Sequence, residues 1–190
     1  MESVLFKALK AFKGANGNED NLEKEFEKIA KSAFFSGYFL INRNREDTYK
    51  LKLTCIEFYY HEDEGSIKDD EKYLKGKDDF GYALGAICPN PSGVDVLFDD
   101  PDKKYHASFL IRGYKAIVED EEIWENNVKN KNWTPHDFWY DLFGGANMLN
   151  QGKFNIEWID EEETTSDIVM PIKRININDE RLWGFKRIKI

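Results

Sequence analysis

The sequence has little of what marks secreted, membrane-spanning or metal-binding proteins. It holds two cysteines and three histidines in 190 residues, and it has no run of about 18 apolar residues. Cys55 and Cys88 lie in apolar surroundings without the spacing of a metal or redox site, which indicates reduced structural thiols. The histidines share no ligand spacing, and no apolar leader-like segment opens the sequence. These absences predict a cytoplasmic protein that has no membrane span, no metal and no cofactor.

Positive charge is also scarce. The chain has 27 Lys and Arg residues against 36 Asp and Glu residues, for a net charge of -9. Domains that bind nucleic acid tightly usually carry a basic excess, so only a local basic groove is compatible with such binding here. What the chain does have, 41% hydrophobic and 15% aromatic residues, is typical of a folded protein with a sizeable core.

The apolar pattern divides the chain into a helical part, residues 1–35, and a β-rich body, residues 36–190. Helical spacing occurs at Val4–Phe12 and Asn21–Phe35, and one more helix is predicted near residues 134–148. Residues 61–79 are dominated by charge and predict a solvated loop. The first two strand segments are predicted to form a hairpin. Strand patterns cover seven segments: Tyr38–Arg43, Tyr49–Tyr60, Val94–Phe98, Tyr105–Val118, Phe154–Ile159, Ile168–Ile177 and Trp183–Ile190. The fold class is a single α+β domain, residues 1–190.

One acid interrupts the apolar strand LTCIEFYY, which ends in the charged run HEDE. A buried carboxylate without a partner is costly, so Glu57 has two interpretations. It lies on the wet face of an edge strand, or it belongs to a pocket. Tyr59 follows two residues later and therefore projects to the same face of the strand.

An arginine interrupts a second apolar strand, FLIRGY. Arg112 lies two residues before Tyr114. An acid, an arginine and tyrosines on central strands would line one apolar pocket with a few polar groups, which is the usual form of a ligand site. The alternative is that Arg112 lies on the surface.

The order of these motifs resembles the methylpurine (alkyladenine) DNA glycosylase family. TCIEFYYHEDE resembles the family's ETEAY motif, FLIRGY its LLRAL strand, and IKRININDERLWGF its PRIGI and PWRF segments. The resemblance covers residues 36–190. It implies N-terminal helices on a curved antiparallel sheet of the glycosylase type. It also implies that Glu57 activates the attacking water, that Tyr59 stacks on a flipped base and that Arg112 is the family arginine.

Other family positions are occupied differently in this sequence. Aligning SGVDVLFDD on the family's YGM-type segment places Ser92 at the position of the intercalating aromatic residue and Asp99 at the asparagine. A serine does not fill the gap that a flipped nucleotide leaves. His61 is a weak substitute for the family's pocket histidine because it is misplaced, and the acids that follow it would repel phosphates.

Two functions from different classes follow. The first is a DNA glycosylase-like enzyme that releases a modified purine base by water attack, with weak affinity for DNA or a nucleobase-containing ligand. The second is a non-catalytic relative that binds or interacts with a partner, including a protein. A basic groove beside Glu57, made by Arg43, Arg45, Lys50 and Lys52, would favour the enzyme. For that enzyme, Glu57→Gln is expected to stop base release and to leave stability nearly unchanged.

Overall fold

The computed structural model describes residues 2–15, 18–43, 47–69, 84–90, 93–100, 102, 104–118, 121–126 and 154–190. Within these ranges the chain forms two helices and nine strands. The helices are α1 (Val4–Ala11) and α2 (Glu19–Phe35). The strands are β1 (Gly37–Arg43), β2 (Asp47–Glu62), β3 (Ile87–Asn90), β4 (Gly93–Leu97), β5 (Tyr105–Val118), β6 (Glu121–Asn126), β7 (Phe154–Asp160), β8 (Ile168–Ile172) and β9 (Gly184–Ile188).

Each helix begins at a capping side chain. The Ser3 hydroxyl accepts the N–H of Phe6 at 3.2 Å, and the Asn18 side chain accepts the N–H of Asp20 at 3.0 Å. Such caps satisfy N–H groups that have no partner inside a helix. The two helices predicted before residue 36 are confirmed, with α2 two residues longer at its start than the apolar pattern indicated.

The described strands all pair antiparallel. Six of them follow the order β3-β4-β5-β2-β1-β7, while β6 pairs with β5, and β9 pairs with β2 and β8. The two longest strands, β2 and β5, form the centre, and each is shared by two neighbours on its outer side. β2 pairs with β1 through its first residues and with β9 at Cys55–Glu57, while β5 pairs with β4 and then with β6. On each outer side of the central pair of β2 and β5, the sheet therefore continues as two separate branches.

The main core lies between the helices and one face of the sheet. The Phe26 ring of α2 stacks on Phe58 of β2 with ring centroids 4.3 Å apart, and Trp183 meets Phe26 edge-on at 5.5 Å. All three side chains are fully buried. Aromatic pairs in this geometry add to the free energy gained by burying their area. An α+β fold with its helices on an antiparallel sheet agrees with the class that the sequence predicts.

Several predicted boundaries need correction. β3 and β6 were not predicted, and β8 ends at Ile172 rather than at Ile177. The segment 173–183 is irregular because it carries buried ion pairs instead of a ladder. The helix expected near residues 134–148 lies outside the described residues. No helix in the described part of the chain is long and apolar enough to cross a membrane.

Candidate functional site

Glu57 lies in the middle of the sheet and is completely buried. β2 is flanked at this point by β5 and β9, since Glu57 pairs with Leu110 on one side and with Gly184 on the other. Its exposed fraction is 0%. The edge-strand interpretation of Glu57 is therefore wrong, because the residue has a strand on each side and no contact with solvent.

Strand alternation separates Glu57 from the main core. Ile56, Phe58 and Tyr60 belong to the core under the helices, whereas Tyr59 belongs to a small second cluster with Leu110. Residues two apart on a strand share a face, so Glu57 and Tyr59 project together from the side of the sheet opposite to the helices. A register shift at Cys55 precedes this stretch.

Three donors surround the Glu57 carboxylate. Arg112 Nε donates to Oε2 at 2.8 Å, the Tyr59 hydroxyl donates to the same oxygen at 3.2 Å, and the backbone N–H of Ile175 donates to Oε1 at 2.6 Å. Bonds from a guanidinium to a carboxylate are about twice as strong as bonds between neutral groups. The predicted convergence of Glu57, Tyr59 and Arg112 is observed, and Arg112 is not a free surface side chain.

Burial and charge act in opposite directions on the partners of Glu57. Burial tends to lower the pKa of Arg112, but the charge and the hydrogen bond of Glu57 outweigh it and raise that pKa. Burial, and then the negative charge of Glu57, raises the pKa of Tyr59. Tyr59 is therefore a neutral phenol that keeps its proton and donates a hydrogen bond to the carboxylate.

The third partner, Ile175, provides both of its backbone groups. Its N–H binds Glu57, and its carbonyl oxygen lies 3.5 Å from Arg112 Nη2. A carboxylate, a guanidinium and a carbonyl are thus arranged around one position. At 3.5 Å, the contact from the arginine to the carbonyl is a long and weak direct hydrogen bond.

Arg174 fixes the residues around Glu57, and its role was not recognised from the sequence. Its side chain is fully buried and forms a bidentate pair with Asp69, at 2.5 and 3.2 Å, while it also donates to the carbonyl of Phe58. The guanidinium lies 4.8 Å from the centroid of the Tyr59 ring. Because Arg174 immediately precedes Ile175, the same side chain holds the tyrosine ring and the backbone that binds Glu57.

A second set of ion pairs holds the segment 174–183. Arg174 and Arg181 both bind Asp179, and the Arg181 guanidinium stacks over the Trp183 ring at 3.9 Å. Burial opposes the charge of Asp179, but hydrogen bonds from Arg181 and Arg174 outweigh it and lower its pKa to about 2. The segment 174–183 is held by charge rather than by strand pairing.

Asp95 is a further buried acid that sequence reasoning missed. Its exposed fraction is 0%, and it accepts the hydroxyl of Ser108 at 3.1 Å. Asp95 pairs with Leu110, which in turn pairs with Glu57, so all three share the face of the sheet opposite to the helices. The signal was the same as for Glu57, namely a lone acid inside an apolar strand.

The remaining predicted site residues do not contact Glu57 in the described hydrogen bonds. His61 shares the face of Tyr59 by alternation, and its Nδ1 lies 3.3 Å from the carbonyl of Asp69. Asp99 accepts the N–H of Ala107 at 2.6 Å and lies 3.8 Å from His106, which gives it a structural role at the β4–β5 turn. Ser92 lies outside the described residues.

The acidic stretch after β2 is partly structural. Residues 63–66 are exposed as predicted, but Asp69 is only 1% exposed and pairs with Arg174. The prediction that this loop is solvated is therefore wrong at Asp69, because the Asp69 carboxylate is buried and paired with Arg174. The rest of the predicted loop, residues 70–79, lies outside the described part.

The basic groove that would favour a DNA enzyme is not formed by the described lysines. Lys52 is bound to Glu161 at 2.8 Å and to Glu163 at 2.6 Å, and Lys50 lies 5.7 Å from the centre of the Tyr38 ring. The side chain of Arg43 and all of Arg45 lie outside the described part. No group of His, Cys, Asp and Glu that would hold a metal ion occurs among the described residues.

No family model, no curated protein and no solved structure matches this chain. The functional conclusion therefore depends on the geometry around Glu57.

Proposed function

We propose that the chain is a DNA glycosylase-like enzyme that releases a modified purine base, with Glu57 as the general base. The observation that carries this proposal is that three segments far apart in sequence meet at one carboxylate. Glu57 contacts Arg112, which is 55 residues away, and Ile175, which is 118 residues away. These are the segments that resemble the catalytic, arginine and PRIGI motifs of the methylpurine DNA glycosylases, and the glycosylase-type fold with its curved sheet is part of the same proposal.

The chemistry needs a base, an activated water and a negative charge near a developing cation. Glu57 takes a proton from the water while the water oxygen bonds to the anomeric carbon. The bond from that carbon to the base nitrogen breaks, and its electron pair leaves with the base. The carboxylate also stabilises the positive charge that the sugar gains.

The neighbours of Glu57 have distinct roles in this proposal. Arg112 orients the carboxylate, and its Nη2 also donates a long hydrogen bond of 3.5 Å to the carbonyl of Ile175. Arg112 and Ile175 keep partial solvent contact, with the side chain of Arg112 13% exposed against 0% for Glu57, so the water approaches from this side. The Tyr59 ring, held by Arg174, supplies the flat surface for the base.

One observation favours the second function, a non-catalytic binding protein on the same scaffold. Glu57 is fully buried, and its two oxygens already accept three hydrogen bonds. A carboxylate that is enclosed in this way stabilises the fold and needs no catalytic role to explain it. The two functions differ in one respect that can be measured, which is whether water and substrate reach Glu57.

The deciding experiment is an assay of base release. Wild type, Glu57→Gln and the control Glu64→Gln are incubated with alkylated and deaminated purine substrates, in duplex and in single-stranded form. Released base is quantified at a temperature where circular dichroism shows all three proteins folded. We expect release by wild type and the control, and a loss of at least about 100-fold in Glu57→Gln because glutamine cannot accept the proton.

A second variant at the same site controls for a loss of base release that is caused by misfolding. Tyr59→Phe keeps the ring and removes only the hydroxyl, so base release should persist in it. Absence of release by wild type on every substrate would refute the enzyme and favour the non-catalytic function, and equal release by Glu57→Gln would refute Glu57 as the general base.

A further inference from the structure

A groove of about 950 Å³ lies beside α2, on the opposite side of the sheet from Glu57. It is lined by the first residue of α1, the C-terminal half of α2, and residues 160–169, which connect β7 to β8. None of its lining residues belongs to the group around Glu57. The groove is therefore independent of the proposed enzymatic function.

The floor of the groove is apolar and open to solvent. Val4, Phe35, Ile168 and Val169 line it, and Val4 and Ile168 are 42% and 47% exposed. These are two of the five large apolar side chains that are exposed in the described part of the chain. Exposed apolar side chains that gather in one concave site mark a surface that binds a partner.

The rim of the groove is acidic. Five carboxylates line it against a single lysine, Lys31: Glu27, Asp160, Glu162, Glu163 and Asp167. Arg187 and Lys52 compensate for part of this charge, since Arg187 binds both Glu163 and Asp167, and Lys52 binds Glu163. With those two cations counted, the groove keeps two net negative charges.

The carboxylates of the rim differ in whether they already bind cations of the protein. Burial tends to raise the pKa of Glu163, but hydrogen bonds from Arg187 and Lys52 outweigh it and lower that pKa. Glu162 is exposed, and Asp160 accepts only the neutral N–H groups of Val4 and Trp158 in the described hydrogen bonds.

We propose that this groove binds a basic, amphipathic segment of a partner protein. An apolar side chain of that segment packs on Phe35, Ile168 and Val169, and flanking Lys or Arg residues meet the carboxylates of the rim. Charge complementarity selects this occupant, because an acidic or neutral segment would leave the net negative charge of the rim uncompensated.

The test uses three fluorescein-labelled peptides. One alternates lysine with leucine, the second has glutamate in place of lysine, and the third has serine in place of leucine. Fluorescence anisotropy on the complete chain should show saturable binding of the first peptide alone. Amide shifts in a ¹H–¹⁵N spectrum on addition of the first peptide should concentrate at residues 160–169 and at the C-terminal turns of α2.

Variants assign the binding to the groove. Glu162→Lys and Ile168→Ser should each weaken the lysine–leucine peptide by about fivefold or more, because one removes a rim charge and the other an apolar contact. Glu64→Lys is the matched control, since it makes the same charge change at a side chain that is 73% exposed and far from the groove. Its affinity should equal that of wild type.

Three results would overturn the proposal. The first is equal binding of the lysine–serine peptide, or full competition by spermine, which would show that any cation suffices. The second is an equal loss of affinity in Glu64→Lys. The third is a self-associated chain in sedimentation velocity that Ile168→Ser converts to a monomer, which would show that a second copy of the chain covers the groove.

Discussion

Replacing Glu57 by glutamine tests whether the buried carboxylate stabilises the sheet. Its two oxygens accept hydrogen bonds from Arg112, Tyr59 and Ile175. Glutamine offers one oxygen and one NH₂ group, so at least one of the three donors must face another donor. Leaving a buried donor without a partner costs about 1–3 kcal/mol.

The charge on Arg112 adds to this cost. Removing one member of a buried ion pair typically costs about 3–5 kcal/mol, because the other charge remains without compensation. The side chain of Arg112 is 13% exposed, and this access to water reduces the penalty. We therefore expect Glu57→Gln to lower the free energy of unfolding by about 2–4 kcal/mol. The contacts thus revise the expectation from the sequence that this substitution is nearly neutral.

Equilibrium unfolding in urea at pH 7 measures the effect. Glu64→Gln is the control, because Glu64 is 73% exposed, and its pair with Lys104 should contribute less than about 1 kcal/mol. A double variant, Glu57→Gln with Arg112→Gln, should be less destabilised than the sum of the two single variants. The reasoning fails if Glu57→Gln unfolds at the same urea concentration as wild type or a higher one, or if the double variant is additive.

Three further predictions concern charge and packing. Duplex DNA should bind weakly, in view of the net charge of -9; tight binding of undamaged duplex in an anisotropy titration would contradict this. Because hydrogen bonds from Arg181 and Arg174 outweigh burial and lower the pKa of Asp179 from 3.8 to about 2, its stabilisation is complete above pH 4 and is lost as the pH falls towards 2. Asp179→Asn should therefore cost about 1–2 kcal/mol at pH 6 and less at pH 2.5, and urea unfolding at the two pH values checks the difference. Gly37→Ala should destabilise by at least about 1 kcal/mol, measured as a lower melting temperature, since a Cβ there would lie 2.0 Å from the carbonyl oxygen of Ile159.

The elements that were predicted correctly are those whose own residues carry a clear apolar pattern. α2 was predicted from its apolar stripe, and β5 was predicted at its observed bounds, Tyr105–Val118, because its alternation is strong. β6 was missed because EEIWEN is acidic and has low strand propensity, and it forms by pairing antiparallel with β5. β3 was missed because it is short and contains Pro89, which is tolerated at the edge of a sheet.

The site was predictable only in part, for a related reason. A lone acid in an apolar strand pointed to Glu57, and the same signal was available for Asp95. The pairing of Asp69 with Arg174 spans 105 residues and follows no local pattern. Its acid was assigned to a solvated loop because charge along the chain does not reveal which carboxylate the fold encloses. The predicted roles of Ser92 and of the helix near residues 134–148 stay predictions.

The division of β2 between two neighbours has a consequence for folding. Its first half pairs with β1, which directly precedes it in the chain, but its second half pairs with β9, which follows about 130 positions later. Contacts between residues so far apart form slowly, because a long loop must be closed before they stabilise the structure. During synthesis on the ribosome, the hairpin of β1 and β2 forms early, while Glu57 stays exposed to water until Ile175 and β9 have been made. Full enclosure of this carboxylate should therefore be a late event in folding, and hydrogen exchange during refolding should protect the amides of β1 before those of β9.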